Sequence, residues 1–497
     1  DPADVVASPF GWHDTDGVAG AESTLTIGNN VLAQDDINGN NGSGASPDGG
    51  VDLHFDFPFD FINQPVSMLD ASTTNLFYMN NIMHDVLYHY GFDEESGNFQ
   101  ENNYGNPGNG GDSVNADAQD GSGTNNANFS TPPDGQNPRM QMFLWSPAPG
   151  NILIVNNGPL AGEYLAIEAN FGAPLTTTPI TADTAVVIDG IPDEQNACDP
   201  ITNGPDLAGK IVIIRRGICE FGFKVLAAET EGAIAVIMVN NVPGAPLVMG
   251  PGANGGSVTI PSVMVSDVDG DAMIAEVLGG GTMNATLGLL AGTPPDLDGD
   301  LDNGIVAHEY GHGVSNRLTG GPGNTGCLGN QEQMGEGWSD YFALMLTIEP
   351  GDLGADVRGI GTYAIGQPVS GNGIRTFPYS TDMGVNPHTY DNIKTEAIPH
   401  GVGSVWVAML WEMTWDLIDQ YGFDADIYNG TGGNNIALQL VMDGMKLQPC
   451  SPGFVDGRDA IIAADAAANA GANECLIWNA FARRGLGFSA IQGSSGS

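Results

Sequence analysis

NGIVAHEYGHGVSNRL, residues 303–318, has apolar residues at helical spacing and contains the pattern HExxH at 308–312. On a helix, His308 and His312 lie four residues apart on one face, so both imidazole rings can bind one zinc ion at about 2.0–2.1 Å. Glu309 can then reach the fourth coordination position and accept a proton from water on the metal. The alternative is a helix that carries two surface histidines.

A third metal ligand is expected on a second helix, and MGEGWSDYFA, residues 334–343, supplies one. Glu336 lies 24 residues after His312. Glu336 and Asp340 are four residues apart, so they share one face of that helix. We predict that Glu336 completes a His/His/Glu zinc site and that Asp340 accepts the outer N–H of a ligand histidine. A nearby cation would relieve the repulsion between these two acids.

The chain of 497 residues is strongly acidic, because 13 Lys plus Arg stand against 60 Asp plus Glu, for a net charge of −47. The electrostatic field of such a negative charge repels phosphate backbones and anionic lipid, which argues against nucleic-acid and membrane partners. The longest apolar run, residues 233–239, is far shorter than the roughly 18 residues of a membrane span. Abundant glycine and scarce lysine suit a protein kept soluble by acidic charge in salty surroundings, so we expect an extracellular (secreted) protein.

The first residues, DPADVVASPFGWHD, lack the basic start and the apolar stretch of a secretory signal. An exported protein would then be a processed form. We expect that an N-terminal propeptide is removed on maturation.

The five cysteines form no CxxC pair, which disfavours a thiol-bound metal. Proximity along the sequence suggests the disulfides Cys198–Cys219 and Cys450–Cys475, each of which would stabilise the fold by about 3 kcal/mol. Cys327 is then left over. The alternative is that all five thiols stay reduced, because sequence alone does not fix connectivity.

Changes in composition divide the chain into segments. The first segment is residues 1–146, and its start, to about residue 65, predicts β-rich, loop-heavy structure with a strand at VDLHFDFPF, residues 51–59. Residues 147–292 alternate strand-like and helical patterns between Pro/Gly-rich joints, which predicts an inserted α/β module. Residues 293–492 are largely helical in pattern, and residues 493–497 look like a linker or tail. The fold class is therefore α+β. The predicted helices lie at 74–90, 303–317, 335–348, 402–419, 435–446, 457–469 and 475–484.

Four carboxylates alternate in DLDGDLD just before the zinc helix, at Asp296, Asp298, Asp300 and Asp302. Oxygen ligands in a tight glycine turn suit Ca²⁺, although the glycine is out of the EF-hand register. The alternative is a solvated acidic turn that caps the start of the helix.

These motifs resemble those of the fungalysin metallopeptidases, which are relatives of thermolysin. The resemblance covers nearly all of the chain outside 147–292. It implies a two-lobed thermolysin-like catalytic domain, with a β-rich N-terminal lobe and a helical C-terminal lobe. It also implies zinc ligation by His308, His312 and Glu336, with Glu309 as general base and proton shuttle. Besides HEYGHGVSNRLTGG and MGEGWSDYFA, the similar segments are ASPFGWHDTDG, NLFYMNNIMHDVLYHYGFDEESGNFQ, QDGSGTNNANFSTPPDG, RTFPYSTDMGVNPHTY, PHGVGSVWVAMLWE and NAFARRGLG.

Further site residues follow from the resemblance alone. His400, in PHGVGSVW, matches the histidine that hydrogen-bonds the oxyanion of the tetrahedral intermediate. Arg375, in GIRTF, matches the arginine that binds a substrate carbonyl. Asn126 and Ala127, in TNNANF, match the edge strand that pairs with the peptide.

The sequence departs from the family at two places. The position five residues before the oxyanion histidine, an aspartate in the thermolysin relatives, is Thr395 here, and Glu396 beside it is a candidate orienter. The relatives' second oxyanion donor, a tyrosine, has no identifiable counterpart.

Residues 147–292 resemble a protease-associated (PA) domain, a non-catalytic module. The similar segments are CDPITNGPDLAGKIVIIRRGICEFGFKVLAAETEGAIAVIMVNN and IPSVMVSDVDGDAM. The module interrupts the chain between the substrate-edge strand and the zinc helix, so its two ends should lie close together. The placement is compatible with a lid or a substrate-capture surface and equally with a passive spacer.

The sequence therefore predicts a secreted zinc-dependent endopeptidase that hydrolyses peptide bonds of proteins by metal-activated water, with Glu309 as general base. Its partners would be protein or peptide substrates, and its cofactors Zn²⁺ and, if the acidic run binds it, Ca²⁺. The alternative is a catalytically inactive, calcium-loaded extracellular binding protein that captures partners through the PA domain.

Overall fold

The computed structural model describes residues 2–146, 153–176, 178–190, 195–242, 246–288 and 295–493. The predicted segment boundaries at 147 and 292 and the predicted tail beyond 493 lie outside these residues. The chain divides into two compact units, of which the first comprises Asp1–Ser146 with Pro295–Ser497 and the second Pro147–Pro294.

Strands and helices both contribute, so the chain is mixed α+β. The strands are β1 Val31–Asp35, β2 Val114–Ala118, β3 Ala127–Ser130, β4 Arg139–Met142, β5 Leu144–Trp145, β6 Leu153–Val155, β7 Gly162–Tyr164, β8 Ile167–Glu168, β9 Ile180–Val186, β10 Ile211–Arg215, β11 Ala235–Val239, β12 Ser262–Val265, β13 Asn284–Leu287 and β14 Leu297–Asp298. The helices are α1 Leu69–His89, α2 Gly204–Leu207, α3 Phe221–Thr230, α4 Asp267–Leu278, α5 Asn303–Leu318, α6 Gly335–Met345, α7 His400–Tyr421, α8 Gly433–Leu447, α9 Phe454–Asn469 and α10 Glu474–Arg483. All the helices predicted from the sequence are present, with ends shifted by a few residues. None of the described helices is both long and apolar enough to span a bilayer.

The first unit contains a four-stranded sheet in the order β1-β2-β4-β3. β2 pairs in parallel with β1 and β4, whereas β3 pairs antiparallel with β4 and forms one edge. Helix α1 packs on this sheet through a buried apolar face that includes Leu76, Met83 and Leu87. An edge strand leaves main-chain groups on one side free to pair with an added strand or peptide.

The predicted strand at residues 51–59 is wrong, since no strand forms there. The side chain of Phe55 stacks on the ring of His13, with 5.4 Å between centroids, and on Phe77 of α1 at 6.3 Å. The alternating phenylalanines therefore reflect aromatic packing of an irregular segment and not the two faces of a pleated strand.

The helical part of the first unit is built around α7, whose side chains are buried along nearly its whole length. α5, which carries HExxH, packs on α6, and α6 packs on α7. All three helices are held by one continuous apolar core that also includes α1. This core fixes the relative positions of the residues that the motifs identify.

The second unit has an eight-stranded sheet in the order β7-β6-β13-β9-β10-β11-β12-β8, with β9 to β12 parallel. Successive side chains of β10 pack into two different apolar clusters. Ile211 and Ile213 belong to one cluster, and Val212 and Ile214 belong to the other. Burial on both faces explains the uninterrupted apolar run of that strand.

Residues on either side of the second unit lie next to each other within the first. β5 and β14 pair antiparallel, with Leu144 opposite Asp298 and Trp145 opposite Leu297. The residues that flank the module are thus neighbours, as its expected insertion requires, while the module's own two ends lie outside the described residues.

One of the two predicted disulfides is confirmed and the other is wrong. Cys198 pairs with Cys219 as expected. Cys450 pairs with Cys327, and Cys475 on α10 is an exposed free thiol. The backbone brings the two distant segments together, because the amide of Ser451 donates a hydrogen bond to the carbonyl of Cys327 at 2.9 Å. Proximity along the sequence could not show this long-range contact.

Candidate active site

The three predicted zinc ligands converge at the contact between α5 and α6. Their candidate ligand atoms all lie within 4.8 Å of one another. Glu336 Oε2 is 3.3 Å from His308 Nε2, and Glu336 Oε1 is 3.8 Å from His312 Nε2. Two imidazoles and one carboxylate that converge in this way suit a catalytic zinc site with three protein ligands.

Glycines allow α5, α6 and α7 to approach one another closely enough for the predicted ligands to converge. A Cβ on Gly311 of α5 would lie 2.9 Å from the Cα of Ser339 on α6. On the other side of α6, a Cβ on Gly403 of α7 would lie 2.5 Å from the Cβ of Glu336. Larger residues at these positions would push α6 away from its neighbours, so the two glycines help to place Glu336 against the histidines.

The predicted outer contact of His308 is present. His308 Nδ1 lies 2.7 Å from Asp340 Oδ1, and Asp340 is fully buried one helical turn after Glu336. Burial raises the pKa of Asp340, but the charge and hydrogen bonds of Arg375 and His308 outweigh burial and hold this pKa well below its usual range. Asp340 is therefore an acceptor, and His308 presents its other nitrogen, Nε2, to the site.

Arg375 lies beside the predicted ligands, and its guanidinium binds the carboxylates of Asp340 and Glu336. Nε donates to Asp340 Oδ2 and Nη2 donates to Asp340 Oδ1, both at 2.8 Å, and Nη2 is also 3.4 Å from Glu336 Oε2. Sequence reasoning missed this ion pair. It also missed Tyr379, whose hydroxyl donates to Asp340 Oδ2 at 2.5 Å. No spacing rule could have found Tyr379, because it lies in an irregular segment.

Glu309 is almost completely buried, and its Oε2 has no hydrogen-bond partner among the described residues. Burial raises the pKa of Glu309 to about 7; the charges of Glu336 and Asp340 add to the rise, and those of His308 and Arg375 oppose it. A carboxyl group that titrates near neutral pH can both accept and return a proton.

The three predicted zinc ligands have pKa values that depart from their usual values in different directions. Burial lowers the pKa of His308, but its hydrogen bonds with Asp340 and Glu336 outweigh burial and raise it to about 10. Burial and the charge of His308 lower the pKa of His312 to about 4. Burial raises the pKa of Glu336, but the hydrogen bond and charge of His308 outweigh burial and lower it to about 2. Glu336 is thus an anion, which suits a site for a cation.

The catalytic and substrate-binding residues predicted from the sequence all line one cavity of about 350 Å³. His400 begins α7, its side chain is 58% exposed, and its Nε2 is 3.5 Å from Glu336 Oε1. The predicted members of the lining are Asn126, Ala127, His308, Glu309, His312, Glu336, Arg375 and His400. The apolar members, which sequence reasoning did not single out, are Phe129, Trp145, Ile305, Ile360 and Ile374.

The candidate orienter of His400 has a different partner. Glu396 Oε1 is 3.1 Å from Nε2 of His388, a largely buried histidine to which the sequence assigned no role. Thr395 donates its hydroxyl to the carbonyl of Asn392 at 3.2 Å.

The aspartates of the run 296–302 do not gather around one point. Asp302 caps α5 by accepting from the amide of Ile305 at 3.2 Å, and it also accepts from the amide of Ala364 at 3.1 Å. Asp298 and Asp300 are buried next to each other, and Asp298 also accepts from Ser72 at 2.6 Å. Among the described residues, these aspartates are not part of any group whose ligand atoms lie close enough to share one metal. Calcium binding here stays a prediction.

The amino-acid sequence is similar to those of known extracellular metalloproteinases. The chain is 33% identical to "Extracellular metalloproteinase 2" of Arthroderma benhamiae, over 97% of this chain and 54% of that protein. It is 34% identical to "Extracellular metalloproteinase MEP" of Pyricularia oryzae, over 100% of this chain and 56% of that protein. The chain thus spans about half the length of the curated relatives it matches. A solved zinc aminopeptidase from Bacillus subtilis is 28% identical over 29% of this chain and 32% of its own, and its TM-score of 0.21 is too low to bear on the fold.

The family model for fungalysin metallopeptidases (M36) matches residues 1–490. Since this match covers both units, the resemblance seen in the motifs extends along almost the entire sequence. The chain belongs to the fungalysin metallopeptidase family.

Proposed function

We propose that the protein is a secreted, zinc-dependent endopeptidase that hydrolyses peptide bonds in proteins. The observation that carries the proposal is the convergence of His308, His312 and Glu336 beside the buried, unpartnered carboxylate of Glu309. The family and the names of the relatives support a metalloprotease. The absence of a helix long and apolar enough to span a membrane among the described residues is compatible with secretion.

The residues present fit a zinc ion. Imidazole nitrogens and one carboxylate are the ligand types that catalytic zinc takes, so His308, His312 and Glu336 would hold the ion, and Glu309 lines the same cavity. A zinc ion bound there would act as a Lewis acid on the scissile carbonyl and lower the pKa of water to about 7. Calcium at Asp296, Asp298, Asp300 and Asp302 is a separate proposal that the mechanism does not need.

Glu309 acts as the general base and then as the general acid. With a pKa of about 7, its carboxylate takes a proton from the attacking water and returns that proton to the leaving amine. The carboxylate is ready for this task because Oε2 has no hydrogen-bond partner in the described part of the chain.

Two cationic or donor side chains act on charge that develops during the reaction. His400 reaches the cavity from the exposed start of α7 and donates to the oxyanion of the tetrahedral intermediate. Arg375, which lines the same cavity, orients the substrate carbonyl while its Nε and Nη2 hold Asp340.

The substrate peptide pairs with the edge strand β3. Asn126 and Ala127 line the cavity, and β3 pairs through one side with β4. An extended peptide added to the other side would be held by main-chain hydrogen bonds and would lie across the zinc ligands. We therefore propose a two-lobed thermolysin-like layout, with the β-rich and helical parts of the first unit on either side of the peptide.

The second unit corresponds to the proposed PA domain, residues 147–292, which we assign a role in access of large substrates. Its own eight-stranded sheet and its separation as a compact unit support a separately folded module. We also propose that maturation removes an N-terminal propeptide from a longer precursor.

A chelator-sensitive protease assay tests the proposed function. Purified protein is assayed on casein, before and after zinc is removed with a chelator, and its metal content is measured. We expect about one zinc per chain and turnover that chelation abolishes and zinc restores. The alternative function, a calcium-loaded binding protein, predicts no turnover at any zinc concentration.

A further inference from the structure

We propose that Tyr379 is a positioning residue, which holds the Asp340 carboxylate and through it the orientation of His308. The proposal rests on the proposed zinc site. The hydroxyl of Tyr379 donates to Asp340 Oδ2 at 2.5 Å, and Asp340 Oδ1 lies 2.7 Å from His308 Nδ1, so Tyr379 is linked to a predicted ligand through Asp340.

The geometry of Asp340 shows why a fourth donor matters. Arg375 donates to both carboxylate oxygens, and His308 donates to Oδ1. Without Tyr379, Oδ2 would keep one of its two donors and the fully buried carboxylate could rotate toward Arg375. Such a rotation would lengthen the bond to His308 and loosen the ring that carries a zinc-binding nitrogen.

Tyr379 is suited to this task because it is a neutral donor on a fixed backbone. Burial raises its pKa well above the ordinary value, so the hydroxyl keeps its proton. The backbone of Tyr379 is paired with Arg358 in both directions, with N–H···O distances of 2.7 and 3.0 Å. The carbonyl of Ser380 next to it accepts from the buried Arg484 at 2.9 Å. The phenol is therefore anchored from outside the zinc site.

Tyr341 provides a matched control. It directly follows Asp340 on α6 and is as fully buried as Tyr379. Its hydroxyl, however, lies 3.0 Å from Thr414 Oγ1 of α7 and not at Asp340. A Tyr→Phe change at either position removes one buried hydroxyl, but only the change at 379 removes a bond to the carboxylate that holds His308.

The experiment compares Tyr379→Phe and Tyr341→Phe in the full chain loaded with zinc. The rate of zinc release is followed with a chromogenic chelator, and Tm is measured alongside. Loss of partners outside the ligand shell commonly weakens metal binding by about 10–100-fold, so we expect about tenfold faster release from Tyr379→Phe. Tyr341→Phe should release zinc at the wild-type rate, although its Tm falls by a similar amount.

A second comparison tests whether Tyr379 acts through Asp340. In an Asp340→Asn background, adding Tyr379→Phe should not accelerate zinc release further. The proposal is overturned if Tyr379→Phe releases zinc at the wild-type rate, if Tyr341→Phe is equally fast, or if the effect of Tyr379→Phe persists in full without Asp340. Loss of folding in Tyr379→Phe would also overturn it, because the hydroxyl would then support the fold and not the zinc site. A wild-type protein that binds no zinc would instead contradict the proposed function.

Discussion

Gly403 of α7 lies against Glu336 of α6 so closely that a Cβ added to the glycine would come within 2.5 Å of the Cβ of Glu336. The same added atom would lie 2.7 Å from the amide nitrogen of Gly337. A residue in the helix that begins with His400 thus sets the position of a proposed zinc ligand on a different helix. This contact leads to the first prediction.

Gly403→Ala should weaken zinc binding by shifting α6. The methyl group meets backbone and a Cβ, neither of which can rotate away, and overpacking of this kind costs about 1–3 kcal/mol. We expect zinc affinity, measured by competition with a chelator, to fall about tenfold or more. Gly335→Ala on α6, the helix of Glu336, is the control, because an added Cβ there would meet only Leu328, at 3.8 Å. Equal zinc affinities in the two variants would show that this contact does not position Glu336.

The disulfide assignment predicts opposite results for two cysteines. Cys450→Ser opens a bond that spans 123 residues and should lower the free energy of unfolding by about 2–5 kcal/mol. Cys475→Ser should leave it unchanged, because this thiol is exposed and unbonded. Thermal unfolding without reductant measures both effects, and titration of the wild type should find one reactive thiol. A destabilised Cys475→Ser variant, with the one free thiol of the wild type at Cys327, would favour the 450–475 pairing.

Asp300→Asn should make the protein less sensitive to alkaline pH. Burial, and then the charge of Asp298, raise the pKa of Asp300 well above the unfolded value of 3.8. The folded state therefore binds more protons than the unfolded chain, and stability is lost as pH rises from about 4 through the folded pKa. Asparagine resembles the protonated acid and has no proton to lose. Because about 1 kcal/mol corresponds to about 2–4 °C in mid-sized domains, we expect the variant to gain a few degrees in Tm at pH 8 and little at pH 4.

A calcium ion bound at the acidic run would reverse the expected effect of Asp300→Asn on Tm. If the acidic run binds Ca²⁺, Asp300 is ionised in the folded protein, added calcium raises the wild-type Tm, and Asp300→Asn lowers it at pH 8. That pattern would contradict the pKa argument and support the calcium site.

Replacing residues 147–294 with a short Gly/Ser linker should preserve the active site. β5 and β14 pair within the first unit, so a short linker can join residue 146 to residue 295. We expect the variant to bind zinc and to cleave a short peptide at the wild-type rate, while its rate on casein changes. Equal proportional effects on both substrates would reduce the second unit to a spacer, and failure to fold would show that the first unit requires it.

Sequence patterns predicted the helices and the side chains that share a helix face because both depend on local spacing. Histidines four residues apart share a helix face wherever the helix lies, and a downstream Glu-x-x-x-Asp does the same for Glu336 and Asp340. The residues that were missed depend on contacts between distant segments. Tyr379 reaches Asp340 from an irregular segment, and Cys327 meets Cys450 across 123 residues. The Phe-rich segment at 51–59 misled because alternation predicts a strand only when a neighbouring strand can pair with it.

Glu309→Gln tests the central claim most directly, because it removes the proposed base and keeps the three ligands. Zinc content and peptide turnover are measured on the same preparation. The account predicts about one zinc per chain, as in the wild type, with turnover reduced by about 10²–10⁴-fold, the usual contribution of a general base. A Glu309→Gln protein that holds zinc and cleaves peptides at the wild-type rate would contradict the account.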